Sequence, residues 1–336
     1  MERRRKAPTA LSLSPPLLAL AAFGLMLVLP LPSARATAPE KRPLRAADDH
    51  VRRLAQPTSV VPVFPPATFE RAAPFGDAPS PWFAVKSILP DAARPNAVVD
   101  VVVWDARRLT TRWVTGTMEP APPPPAHKAK AGVVPSEGAK AAHVRAAFNG
   151  GFRGVHGGYG AFAFGEALLP MKDGLATFIE RIDGTNVLAT WPFDVDFSRV
   201  RSARQNLPPL VVAGRSNASA RAPEQWGALS PDSRDPVHGV RSGLCVRDDG
   251  LMMYFWGADL SAATLAKAMI DAQCIYGMHL DMNAGLTGFE FCRAKDETGS
   301  LFSSQRLHAR MSLATFPLCG GRSTRDFFVL EERQLP

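Results

Sequence analysis

Nothing in this chain of 336 residues reads as a ready-made cofactor motif. Its four cysteines, Cys245, Cys274, Cys292 and Cys319, form no C-x-x-C pair, which argues against a structural zinc site. The G-x-x-x-x-G-K-[ST] order of a phosphate-binding loop is absent. No glycine fingerprint runs into a helix, which argues against a dinucleotide site. Beyond the N-terminus no segment is apolar enough to be a membrane span. There is no internal repeat. A broad basic surface is also missing, despite a formal net charge of +8. Residues 1–36 carry Arg3, Arg4, Arg5, Lys6 and Arg35 against Glu2, and residues 37–57 carry Lys41, Arg42, Arg45, Arg52 and Arg53 against Glu40, Asp48 and Asp49. Only a net +2 is left for everything after residue 57, so no nucleic-acid partner is implied.

The N-terminus has its own logic. A basic Arg3–Lys6 stretch, the apolar run PPLLALAAFGLMLVLPLP and the small-x-small site Ala34-Arg35-Ala36 read as a secretory signal over residues 1–36. The run is short of the roughly 20 residues that span a bilayer. An uncleaved anchor is the one route by which a membrane partner would enter. The 31 prolines cluster, and residues 37–81, rich in Pro and Ala, read as an extended tether. Folded structure is expected from Trp82 to residue 336. Within it the Pro-rich run 119–140 reads as a flexible surface insertion, and its His127 receives no role. The expected location is secreted, periplasmic or envelope. There two disulfides are allowed, in three connectivities, and buried free thiols are the alternative. The expected pattern is Cys292 bonded to Cys319, with Cys245 a reduced core thiol in GLCV.

Val- and aromatic-rich runs, WFAVKSIL and AVVDVVVWDA, read as strands, with LTTRWVTG a hairpin partner of the second. Asp183-Gly184 and Asp249-Gly250 mark two tight hairpins, and Gly165-Glu166 a third. One confident long helix follows Ser261, a ready N-cap, with Leu265, Ala268, Met269 and Ala272 at helical spacing. The expected fold class is α+β: a single domain with a strand-rich mixed sheet, built from hairpins, with a few helices packed on it.

Polar clusters interrupt these apolar runs. HVRAAFNGGF is a strand delivering Asn149 onto a glycine-rich turn. There Gly150 and Gly151 allow close backbone approach, and His156 has room to titrate. Asp173-Gly174 is a turn whose carboxylate lies just before a strand. Arg204, Gln205 and Asn206 supply donors suited to sugar hydroxyls or a phosphate, and Arg241 offers a guanidinium before a buried-looking strand. In GMHLDMNAG, His279, Asp281 and Asn283 alternate with Met278, Leu280 and Met282. Period-two alternation puts Asp281 and Asn283 on a pocket face, and Leu280 and Met282 on the core face.

In chain order, FNGGF, GYGAFAFGEALLP, DGLAT, RQNLPPLV, RSGLCV, the LAKAM helix with HLDMN, and TRDFF make the region 82–331 resemble the bacterial phosphodiester glycosidase family. That family is related to the lysosomal uncovering enzyme. The resemblance implies an exported hydrolase of a sugar-1-phosphodiester in an envelope or extracellular glycan, with carbohydrate or sugar phosphate as its partner. Asn149, Arg241 and Asp281 are the residues it carries over. One departure is LDMNAG, where many members have an LDGGGS-type segment. Asp281 is expected as nucleophile or base, completed by His156 or Asp173. Asn149, Gly150, Gly151, Arg204, Asn206, Arg241 and Asn283 are expected to bind substrate. The sequence requires no metal and no cofactor, although an acidic pocket has the chemistry to hold calcium. The rival readings are a non-catalytic carbohydrate-binding domain and an envelope-assembly factor. Export gives the first prediction. N-terminal sequencing of the native protein from an extracytoplasmic fraction should return a start near Thr37, and Met1 from the cytosol would contradict it.

Overall fold

The computed structural model describes residues 82–134, 138–218, 223–227, 235, 237–294, 301–311 and 318–333. The expected export signal and tether lie outside them. The described residues are mostly β, with three antiparallel sheets and a single α-helix. The expectation of a mixed sheet with several helices is therefore corrected. Among the described residues every strand pair is antiparallel, and turns, loops and a few short 3-10 helices link the strands in place of α-helices.

With strands numbered along the chain, the largest sheet runs β1 (Ala84–Ile88), β2 (Val99–Asp105), β13 (Leu251–Leu260), β12 (Gly239–Val246), β14 (Tyr276–Met282), β10 (Val211–Val212), β11 (Arg215–Ser216). The second runs β16 (Leu301–Arg306), β15 (Phe289–Ala294), β4 (Val144–Asn149), β17 (Phe327–Glu332), β3 (Leu109–Val114). The third runs β6 (Glu166–Leu169), β5 (Ala161–Ala163), β9 (Val200–Gln205), β7 (Ala176–Arg181), β8 (Asn186–Thr190). The three glycine-marked hairpins form at β5–β6, β7–β8 and β12–β13. LTTRWV does not pair with β2, whose two edges are taken by β1 and β13. It pairs with β17 in the second sheet instead. β9 is an additional strand, covering residues that the sequence presents as a polar lead-in.

The central sheet is buried on both faces, which is why its strands read as continuous apolar runs rather than alternations. Val102, Trp104, Leu244, Tyr254 and Met278 face a core shared with Phe148, Phe178, Phe289 and Phe328 of the other two sheets. Val101, Val103, Cys245, Met253 and Phe255 face the helix α1 (Ala262–Asp271) through its Leu265 and Met269. Ser261 caps α1 by accepting from Thr264 N at 3.0 Å. The helix sits close because Gly243 and Gly277 lie beneath Met269. A Cβ on Gly243 would stand 2.4 Å from Met269 Cε and 2.9 Å from Met278 O.

Both disulfides are formed, Cys245–Cys274 and Cys292–Cys319. The second matches expectation. The first overturns the reading of Cys245 as a free thiol. Cys245 is indeed a fully buried strand residue, but its side chain faces Cys274 at the end of the α1 turn. Two disulfides fit an oxidising compartment. The Pro-rich run is packed where it is described. Ala131 and Val134 are buried, Gly132 N donates to Thr115 O, and His127 stacks on Phe164. The close approach beneath α1 sets a stability prediction. Gly243→Ala should lower the unfolding free energy by about 1–3 kcal/mol through overpacking, measurable by denaturant titration.

Candidate active site

Three polar strand ends meet at one place. β4 ends at Asn149 and runs into Gly150-Gly151, Asp281 is the next-to-last residue of β14, and β17 is preceded by Arg325-Asp326. A small polar cleft lies here, lined by Asn149, Gly150, Asp281, Leu286, Leu318, Ser323, Arg325, Asp326 and Phe327.

Asp326 is its anchor. The carboxylate is buried, and its Oδ2 accepts from Arg204 Nε at 2.9 Å, Trp113 Nε1 at 2.9 Å and Gly151 N at 3.2 Å. Its Oδ1 is buried with no hydrogen-bond partner. The glycines of FNGGF now have a physical reason. A Cβ on Gly150 would lie 2.4 Å from Asp326 Oδ2, and one on Gly151 would lie 3.1 Å from Arg204. The close approach that glycine permits is to this buried ion pair.

Asp281 is the second carboxylate. Arg325 Nη2 donates to its Oδ2 in a short contact, and Met282 N donates to Oδ1 at 2.8 Å. Arg325 also donates to Gly151 O at 3.2 Å. Burial pushes the Asp281 carboxyl up to about 7, with Arg325 opposing and Asp326 adding to the rise. The expectation that an arginine would hold Asp281 fully ionised is corrected twice. The partner is Arg325, not Arg241, and desolvation outweighs it.

Arg241 lies elsewhere. Its buried guanidinium donates to Leu260 O, Trp226 O and Val237 O, and its Nη1 stands 3.0 Å from His279 Nε2. It does not line the cleft. His279 is fully buried, and burial and Arg241 push its imidazole down to about 3, so it is neutral. Asn149 does line the cleft, but its amide is spent. Nδ2 donates to Gly150 O and Ser242 Oγ, while Oδ1 accepts from Tyr254 Oη and Gly288 N. No capacity remains for a ligand. Arg204 is likewise committed, to Asp326 and to the carbonyls of Phe152, Tyr159 and Gln205. Asn206 is committed to His279 O, Leu280 O and Phe152 N.

His156 and Asp173 are exposed and outside the cleft, each on a turn that carries it toward solvent. Asn283 is half-buried in the left-handed region at φ 78°, a conformation asparagine tolerates, and it does not line the cleft. The predicted shared core face of Leu280 and Met282 is also absent. Leu280 packs in the inter-sheet core, whereas Met282 packs on the α1 side with Phe152. A one-residue bulge breaks the alternation. Leu280 and Asp281 together oppose Ser242, between the pairs Gly243–His279 and Arg241–Met282.

Arg325 and Asp326 are the residues that sequence reasoning passed over. They stand in TRDFF, an arginine and a carboxylate just before the apolar strand β17. The same placement drew attention to Arg241. Among the described residues no group of three or more His, Cys, Asp and Glu is disposed to hold a metal ion.

No protein-family model matches the chain, and no curated protein matches it. Among solved structures, the chain is similar to the zebrafish N-acetylglucosamine-1-phosphodiester alpha-N-acetylglucosaminidase catalytic domain, which is auto-inhibited by its pro-peptide. The identity is 16%, the TM-score 0.44, and the match covers 79% of this chain and 87% of that one. It is also similar to a hypothetical protein from Synechocystis at 11% identity and TM-score 0.39, over 76% of this chain and 64% of that one. The relationship to the zebrafish domain is a distant structural one.

Proposed function

We propose that this chain is an exported hydrolase that cleaves the glycosidic bond of a sugar-1-phosphodiester in an envelope or extracellular glycan. The observation that carries the reading is the pair of cleft carboxylates in unlike environments. Asp281 is buried and poised at about 7. Asp326 is held by Arg204, Trp113 and Gly151 through one oxygen only, which leaves Oδ1 as an acceptor within the cleft wall. Two carboxyl groups divided in this way are the usual apparatus of glycoside hydrolysis, one giving a proton and the other receiving one. The order FNGGF, RQNLPPLV, HLDMN and TRDFF supports the choice of a phosphodiester substrate.

In this mechanism Asp281, in its protonated form, gives its proton to the leaving oxygen. A phosphate monoester is a good leaving group, so this assistance need only be partial. Asp326 Oδ1 takes the proton of the attacking water. Arg325 borders both the cleft and Asp281, and it offsets negative charge as the phosphate departs. A non-catalytic carbohydrate-binding domain would have to use the same cleft, because Asn149, Arg204, Asn206 and Arg241 are all committed internally. Binding of a sugar phosphodiester without turnover would establish that reading instead.

The unlike carboxylates lead to predictions for both rate and stability. Asp281→Asn should retain the fold and lower turnover of an aryl or nucleotide-linked sugar phosphodiester by about 10²- to 10⁴-fold, the range for a lost general acid. The wild-type kcat/KM should fall as pH rises through about 7, where Asp281 loses its proton. The stability sign follows from the same shift. A carboxyl raised from 3.8 to about 7 binds more protons folded than unfolded in that window, so stability falls with rising pH across it and is level above it. Glu180 on β7 is also raised to about 7 by burial, so the wild-type curve holds both contributions. The difference between Asp281→Asn and wild type isolates Asp281. It should grow in the variant's favour from about pH 4 to 7. Asp326→Asn should behave differently. It strands the Arg204 guanidinium, only 1% exposed, without its counter-charge, and should cost about 3–5 kcal/mol in denaturant unfolding.

A further inference from the structure

The bulge that breaks β14 is built, and the residues that build it come from outside the sheet. β12 runs along one edge of β14, but β10 covers the other edge only at Tyr276 and Gly277. Past that point the carbonyls of His279 and Leu280 lie in a closed core with no strand beside them. Leaving such groups bare costs about 1–3 kcal/mol each. Asn206 supplies the donors. Its Nδ2 donates to His279 O at 2.6 Å and to Leu280 O at 3.0 Å, and its Oδ1 accepts from Phe152 N at 3.2 Å. A side-chain amide therefore stands where a neighbouring strand would run. A strand would enforce strict register, whereas one amide accommodates an extra residue.

His279 is the second clamp. Arg241 can only donate, so Nε2 of His279 accepts at 3.0 Å and Nδ1 carries the proton, 2.5 Å from Leu280 O. With strict alternation residue 281 would share the face of His279. That face lies on the α1 side, where Phe152, Trp226 and Met282 pack and the Arg241 guanidinium is already committed to carbonyls and to His279. With the bulge, Met282 takes that place, its sulfur 3.8 Å from Arg241 Nη1, and Asp281 turns to the cleft.

We infer that Asn206 and His279 are positioning residues for Asp281: together they hold the one-residue bulge that places its carboxylate in the cleft beside Arg325 and Asp326. The inference rests on the reading of Asp281 as proton donor. Neither residue touches the reacting atoms. Each acts through the backbone of residues 279–281. The charged groups that bear on Asp281 are Arg325 and Asp326, on the segment before β17, and Arg204, two residues before Asn206.

The test is a carboxyl ¹³C NMR titration of Asp281 in the full chain, assigned with Asp281→Asn, alongside kcat and KM. Asn206→Ala is compared with Asn186→Ala, which also removes side-chain bonds to a neighbouring backbone, those to Thr111 O and N. In Asn206→Ala the Asp281 midpoint should move from about 7 toward the ordinary carboxylate range. Its kcat should drop on the order of 10²-fold with little change in KM, as for a group displaced by about an ångström. Asn186→Ala should change neither. If Asn206→Ala fails to fold, Asn206→Ser keeps one donor and is read the same way. A wild-type midpoint and kcat in either folded variant overturn the inference while leaving the hydrolase reading intact. A shifted midpoint in a protein whose wild type hydrolyses no sugar phosphodiester keeps the positioning device and removes the hydrolase.

Discussion

The buried pair of Arg204 and Asp326 is the contact on which the cleft depends. It joins the end of β9 to the start of β17, and it draws the turn after β4 against itself through Gly151 N. Trp113 of β3 adds a third strand to the same oxygen. Two sheets are thus tied at one carboxylate. The pair is fully desolvated, so its worth lies less in net stability than in leaving one geometry acceptable. The glycines of FNGGF follow from it, since any side chain at Gly150 would collide with Asp326.

Donor count also distinguishes the two carboxylates. Both lie within the same wall, but Asp326 Oδ2 meets a committed guanidinium, an indole and a backbone amide. Asp281 meets one arginine and one amide. At Asp281 desolvation outweighs the donors that hold it. This is a property of donor count and depth, set by which strand ends converge.

Much of the architecture was legible because local chemistry agreed with it. Ser261 announced the helix start, Asp183-Gly184 and Asp249-Gly250 announced hairpins, and Val-rich runs announced strands. What could not be read was long-range. β3 leaves β2 for a strand more than two hundred residues later, because both edges of β2 are occupied. The site shows the same division. Asp281 was found because a carboxylate in an apolar strand needs a reason. Arg241 was the natural guess for its partner, yet a guanidinium before a strand is equally well used to tie down carbonyls, as it is here. The bulge at Leu280–Asp281 leaves no mark in the alternation of side-chain types, so face assignments beyond it were inverted. Asn206 looked like a ligand donor because its real acceptors are backbone carbonyls, which every sequence has.

The position of β17 carries a consequence for how the molecule is made. It is the last strand along the chain among the described residues, yet it inserts between β4 and β3 in the interior of its sheet. The residues just before it, Arg325 and Asp326, complete the cleft. A chain threaded from its N-terminus would therefore hold β3 and β4 apart, with Arg204 lacking its counter-charge, until the final segment arrives. Closure of the sheet and assembly of the cleft become one event, timed by the segment that carries Arg325, Asp326 and β17.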